Sequence, residues 1–158
     1  MTTAVVHPAV AAIRDAISAA MSGDLAGVVV LDAVDPSAQA YALRSVTVGG
    51  TWDPELQGFA TDQAVLVESS EAGAARRSVE TVAVQCIAYT GSGSRDFDGN
   101  RASVGAILGA ISSALQGIQQ VGTAGAMARI SSQSWAQAID GQGSLVLASF
   151  TVTVSLLT

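Results

Sequence analysis

The sequence predicts an α+β domain: one mixed or antiparallel β-sheet of about six strands flanked by two amphipathic helices, in a single domain spanning residues 1–158. Three observations predict it. Apolar side chains recur at spacings of three and four in two segments, 8–22 and 101–119, as a helix with one buried stripe requires. Alternating or β-branched runs recur in six further segments. The 158 residues, 49% apolar but only 4% aromatic, suffice for one core of Val, Ile, Leu and Ala, whereas two domains would each be short of core.

The first helix is predicted at 8–22. Pro8 suits a first turn, Val10, Ile13, Ile17 and Met21 form the stripe, and Gly23 is a plausible stop. GVVVLD at 27–32 reads as a buried strand, followed by a turn at Asp35-Pro36. YALRSVTV at 41–48 is the second strand, with Ser45 and Thr47 on one face and Arg44, Val46 and Val48 on the other. Periodicity is lost from Gly49 to Asp62, where GGTWDPELQGFATD holds three glycines, one proline and three acids and reads as a long loop. Trp52 and Phe59 stand out there, because large aromatics seldom remain in water without a partner surface.

AVLVE at 64–68 is the third strand, and SSEAGAARR at 69–77 a polar turn. The strand from Ser78 to Tyr89 has Val82, Val84, Cys86 and Ala88 on one face and a fairly apolar second face, which predicts a central position. TGSGSRDFDGN at 90–100 reads as a second loop in which Asp98 or Asn100 caps the next helix. That helix, 101–119, has the stripe Val104, Ile107, Leu108, Ile111, Leu115 and Ile118. Met127 to Ile139 and Ser144 to Leu157 close the chain as a hairpin turning at 140–143. The last strand carries the clearest alternation, Val146, Ala148, Phe150, Val152, Val154 and Leu156 against Ser and Thr.

The net charge is -6, and all seven basic residues are scattered arginines with no lysine. Such a chain is a poor non-specific binder of nucleic acid, since phosphate affinity comes from clustered Lys and Arg. Without lysine no P-loop of the GxxxxGK[ST] kind is possible. One histidine, His7, and one cysteine, Cys86, cannot build a zinc site or an intrachain disulfide, and the lack of a disulfide fits a reducing compartment. Cys86 falls on an apolar strand face, where cysteine behaves as a small hydrophobe. DFDGN at 96–100 resembles the centre of a calcium loop. With Gly99 as its sixth residue, however, the closing acid falls on Gly105, so a polar turn with a helix cap is the better reading. The paired acids Asp53/Glu55 and Asp96/Asp98 lie in polar segments and read as solvated. No cofactor, metal or catalytic residue is predicted. MTTAVVHPAV lacks the features of a signal peptide, and no run of about 20 apolar residues is available to span a bilayer.

The segments GVVVLD, SVETVAVQCIAYTG, NRASVGAILGAISSAL and ISSQSWAQAIDGQGSLVLASFTVTV, in that order after an amphipathic helix, resemble the tail terminator proteins of siphophages, especially those infecting actinobacteria. The likeness rests on element order and covers most of the chain apart from 49–77. It implies a structural virion protein, not an enzyme, made in the host cytoplasm and residing in the tail or neck. Its members form a ring, usually a hexamer, that caps the tail tube, halts its polymerisation and meets the head connector while DNA passes through without specific binding. On this reading the two loops, Gly49–Asp62 and Thr90–Asn100, are expected to make ring or tail contacts, with Trp52, Phe59, Arg95, Asp96, Phe97, Asp98 and Arg101 as interface candidates and Arg101 expected to pair with an acid across a subunit boundary. Two alternatives stay open. One is another neck or tail ring protein, such as a stopper, connector or tube subunit; the other is a small cytoplasmic ligand-binding domain or enzyme.

Overall fold

Helices α1 (Thr3–Ala20) and α2 (Phe97–Gln116) lie side by side on one face of a six-stranded mixed sheet in the computed structural model of the chain. The structure describes residues 3–32, 44–53, 58–60, 65–72, 77–93, 96–117, 120–121, 123–124, 127–140 and 143–157. The strands are β1 (Val29–Asp32), β2 (Arg44–Val48), β3 (Thr51–Asp53), β4 (Gly58–Ala60), β5 (Val65–Ala72), β6 (Arg77–Ser92), β7 (Gln120–Val121), β8 (Thr123–Ala124), β9 (Met127–Asp140) and β10 (Gly143–Leu157). Two small hairpins, β3–β4 and β7–β8, stand outside the main sheet.

β6 is the spine. Its register with β10 runs antiparallel from Val79 to Ser92, occupying one side along nearly its whole length. Its other side is shared end to end: β5 pairs with Arg77 to Val84, and β2 with Cys86 to Thr90. At the junction the Gln85 carbonyl accepts from the Gly49 and Gly50 amides at 2.7 and 3.0 Å, so the ladder continues where the partner changes. Gly49 makes this exit from β2 with a φ of 83°, a left-handed conformation that favours glycine. β1 adds in parallel to β2, and β9 adds antiparallel to β10 at the opposite edge, giving the order β1-β2-β6-β10-β9.

The core follows the alternation. Val46, Val48, Val82, Val84, Cys86, Ala88, Val146, Ala148, Phe150, Val152 and Val154 all face the helices and are buried. Ala9, Ile13 and Ile17 of α1 and Val104, Ile107, Leu108, Ile111 and Leu115 of α2 close over them as one cluster. On the other face Ser45, Thr47, Ile87 and Leu147 are also buried, and Gln85, Thr151 and Thr153 are half-buried. Thr151 Oγ1 donates to Gln85 Oε1 at 3.1 Å on that face.

Several boundaries differ from the sequence reading. Both helices cover the same face of the sheet, because the apolar positions of β6 and β10 facing them form the larger buried surface. α1 begins at Thr3, which moves Pro8 from a first-turn position into the second turn, where its missing N–H removes one intrahelical bond. Gly23, with a φ of 62°, begins a single 3-10 turn, Gly23–Leu25, after the helix has ended at Ala20. α2 starts at Phe97, not Arg101, because Asp96 supplies the cap. The expected turn at 69–77 is strand as far as Ala72, since β6 offers an unoccupied side from Arg77 onward. The expected loop at 49–62 contains the β3–β4 hairpin. The turn at Asp35-Pro36, the first residues of the predicted 41–48 strand, Ile118 and the central turn residues 141–142 lie outside the described residues. No helix among the described residues is long and apolar enough to cross a membrane.

Candidate assembly surface at the edge of the sheet

β9 is an edge strand: among the described residues it pairs with β10 alone. Its first turn of register is ordinary. Ala128 and Ile130 sit opposite Val154 and Val152 and pack, half-buried, against the core. A bulge then intervenes, since Thr151 pairs with Ser132 and Val152 with Ile130, leaving Ser131 unopposed. Ser131 Oγ donates to the Thr151 carbonyl at 3.3 Å and accepts from Thr153 Oγ1 at 2.7 Å.

Beyond the bulge every residue from Ser131 to Ile139 is exposed, on both faces of the strand. Gln133, Trp135 and Gln137 pair with the buried core residues Phe150, Ala148 and Val146, yet are themselves exposed. The reason lies on α2, which presents Gly105 and Gly109 where larger side chains would close the gap; a Cβ built on either meets no neighbour. An open groove of about 360 Å³ results between Gly105, Leu108, Gly109 and Ser112 on α2 and Ile130, Gln133 and Trp135 on β9. A second hollow of about 250 Å³ adjoins it on the far side of Trp135, lined by Arg101, Ala136, Gln137 and Val146. Trp135 therefore stands between two hollows at 43% exposure, its indole Nε1 donating to Gln133 Oε1 at 2.9 Å. Among the described residues, three of the four exposed large apolar side chains (Met127, Trp135 and Ile139) belong to β9, which concentrates exposed apolar surface on one strand.

The N-terminus of α2 borders this surface and holds four of the sequence-predicted site residues. Asp96 is the N-cap, its Oδ1 accepting from the Gly99 amide at 2.9 Å. Phe97 packs half-buried against the core. Asp98 is exposed and pairs with Arg101 one turn later at 2.5 Å, and Arg101 also donates from Nη1 to Gln137 Oε1 of β9 at 2.8 Å. Arg101 thus has both an acid and an amide partner within its own chain. Such an exposed ion pair lies within α2 and contributes little to stability; the link from α2 to β9 is the Arg101–Gln137 hydrogen bond.

Behind that link Asn100, a cap candidate from the sequence, is an anchor instead, the cap being Asp96. Asn100 is buried, its Nδ2 donating to Ser144 Oγ at 2.9 Å and Ser92 Oγ at 3.2 Å. The amide joins the start of α2 to the end of β6 and the start of β10. Gly143 adjoins the same corner with a φ of 144°, and a Cβ there would fall 1.9 Å from the Ser92 carbonyl oxygen.

Trp52 and Phe59 are cross-strand partners in the β3–β4 register and so belong to one hairpin, separate from the β9 edge in the sheet order. Arg95 lies outside the described residues. The residues that sequence reasoning missed, Trp135 and Ile139, carried a readable signal: SSQSWAQA alternates polar and small residues with no consistently apolar face and no charge, a pattern of a strand with neither side in a core.

Cys86 is fully buried in the core, with Sγ 3.7 Å from the Val84 carbonyl. Burial pushes its thiol up from 9.0 to about 12, with a small opposing contribution from a backbone hydrogen bond to Gly49. It is a protonated packing residue at neutral pH. Among the described residues no three His, Cys, Asp or Glu side chains gather in a way that could hold a metal ion. The chain matches no protein-family model and no curated protein.

Proposed function

We propose that this is a structural protein that acts by self-assembly, its working surface being the β9 edge and the α2 residues beside it. More particularly, we read it as a siphophage tail terminator: a ring, in this reading a hexamer, that caps the tail tube and joins the tail to the head connector in the virion. The observation that carries the class is the concentration of exposed apolar side chains and unpaired strand edge on β9, next to a groove left open by Gly105 and Gly109. The order of elements described for the resemblance supports the particular reading. The net charge of -6 suits a channel that lets DNA through without holding it.

The test is to mix the purified protein with purified tail tubes and image them by negative stain. The expected result is one ring at the tube end and tubes that no longer elongate. Tubes that extend by incorporating the protein would make it a tube subunit, and tubes that remain bare would overturn the reading.

A further inference from the structure

The β9 edge poses a specific physical problem. Edge strands in natural proteins are usually short, charged, bulged or covered, because an open ladder invites pairing. β9 is 14 residues long. Its bulge lies near its start, at Ser131, and the stretch beyond it to Ile139 carries no charge, proline or glycine and is exposed throughout. At about 3.4 Å per residue this stretch extends roughly 30 Å, and pairing along it would form close to ten main-chain hydrogen bonds, comparable to a typical stable interface.

We infer that this edge pairs with a strand edge of a second copy of the chain, so that the sheet continues from one subunit into the next, with Trp135 as the apolar anchor beside the α2 groove. Three features select a second copy. The molecule is acidic overall, and two such molecules meet without like-charge repulsion through a neutral strip, which 131–139 supplies. The chain carries the complementary element itself: β9 can meet its own copy, and β5, which among the described residues pairs with β6 alone, offers a second edge of eight residues. The apolar side chains concentrated on β9 would be covered by the same contact that satisfies the backbone. The inference deepens the assembly reading and shares its premise that the partner is another copy.

The experiment compares wild type with the double variant Ser134→Lys/Ala136→Lys and with Trp135→Ala, all as full chains. Both lysines fall on exposed positions, so the fold should persist, as circular dichroism and melting will report. Solution mass over a concentration series and amide hydrogen exchange along β9 are the readouts. Edge pairing predicts that outward β9 amides slow as protein concentration rises. It also predicts that the lysine pair weakens association roughly tenfold or more, through like charges placed opposite one another or beside an apolar contact, and that Trp135→Ala weakens it in the same direction. Wild type that stops at a lysine-sensitive dimer supports the edge pairing while removing the ring. Association indifferent to the lysines, with β9 amides exchanging as an open edge at every concentration, overturns the edge pairing and leaves the ring reading standing. A wild-type monomer throughout, with tail tubes present as well as without them, also overturns it.

Discussion

At the scale of single residues, the chain uses its few polar interior groups for construction. Cys86 is the clearest case. Its thiol titrates near 9.0 when the chain is unfolded and is pushed up to about 12 by burial, so the folded state holds its proton longer. The contribution to stability is therefore fully present below pH 9 and is lost as pH rises from about 9 through about 12, because the unfolded chain releases the proton first. Two outcomes follow. A thiol reagent at neutral pH should label Cys86 only upon denaturation, and Cys86→Ser or Cys86→Ala should flatten the alkaline fall in stability measured by urea titration between pH 8 and 11. Rapid stoichiometric labelling of the native protein would contradict the burial. The sequence already placed Cys86 among apolar neighbours through the alternation of Val82, Val84 and Ala88. It could not show the roles of Asp96 and Asn100, because TGSGSRDFDGN offers several acids and amides that can cap, and the choice is made by which one reaches a distant partner. Ser144, 44 residues away, settles Asn100.

At the scale of elements, periodicity was informative where an element has one buried face and silent where it has none. β6, β10 and α2 have strong alternation or stripes, and the residues assigned to their apolar faces whose burial is described are in the core, Ile118 and the side chain of Leu156 lying outside that description. β3 and β4, of three residues each, are too short to show a period, and their glycines and proline disguised a hairpin as a loop. β9 was legible as a strand but not as an edge of the sheet, because edge position depends on the order β1-β2-β6-β10-β9, which arises from contacts distant in sequence. The placement of α2 against the sheet edge rests on the Asn100 anchor. Asn100→Ala removes donors to Ser144 and Ser92 and should lower unfolding stability by about 1–3 kcal/mol, read as a reduced urea midpoint. Faster exchange of the amides from Asn100 through the second turn of α2 should accompany it. An unchanged midpoint would mean that the core stripe alone fixes the helix.

At the scale of the whole molecule, the two ends of the sheet are unequal. One side of β6 is shared by β5 and β2 with β1 beyond, while the other leads through β10 to a long neutral edge. The helices cover one face of the sheet but leave the outer part of β9 open, since the glycines of α2 provide no cover there. Such an edge is what the proposed assembly would use. The resemblance to tail terminators lies in the order of the elements, and the proposed assembly surface arises from their packing. Arg101, expected to pair with an acid across a subunit boundary, has its acid partner Asp98 in its own helix and joins β9 through Gln137. The most direct test of self-assembly is the solution mass of the purified full chain by light scattering across a concentration series, with and without tail tubes. The account predicts a closed species of about six subunits, formed alone or on the tubes; a monomeric mass under both conditions would contradict it.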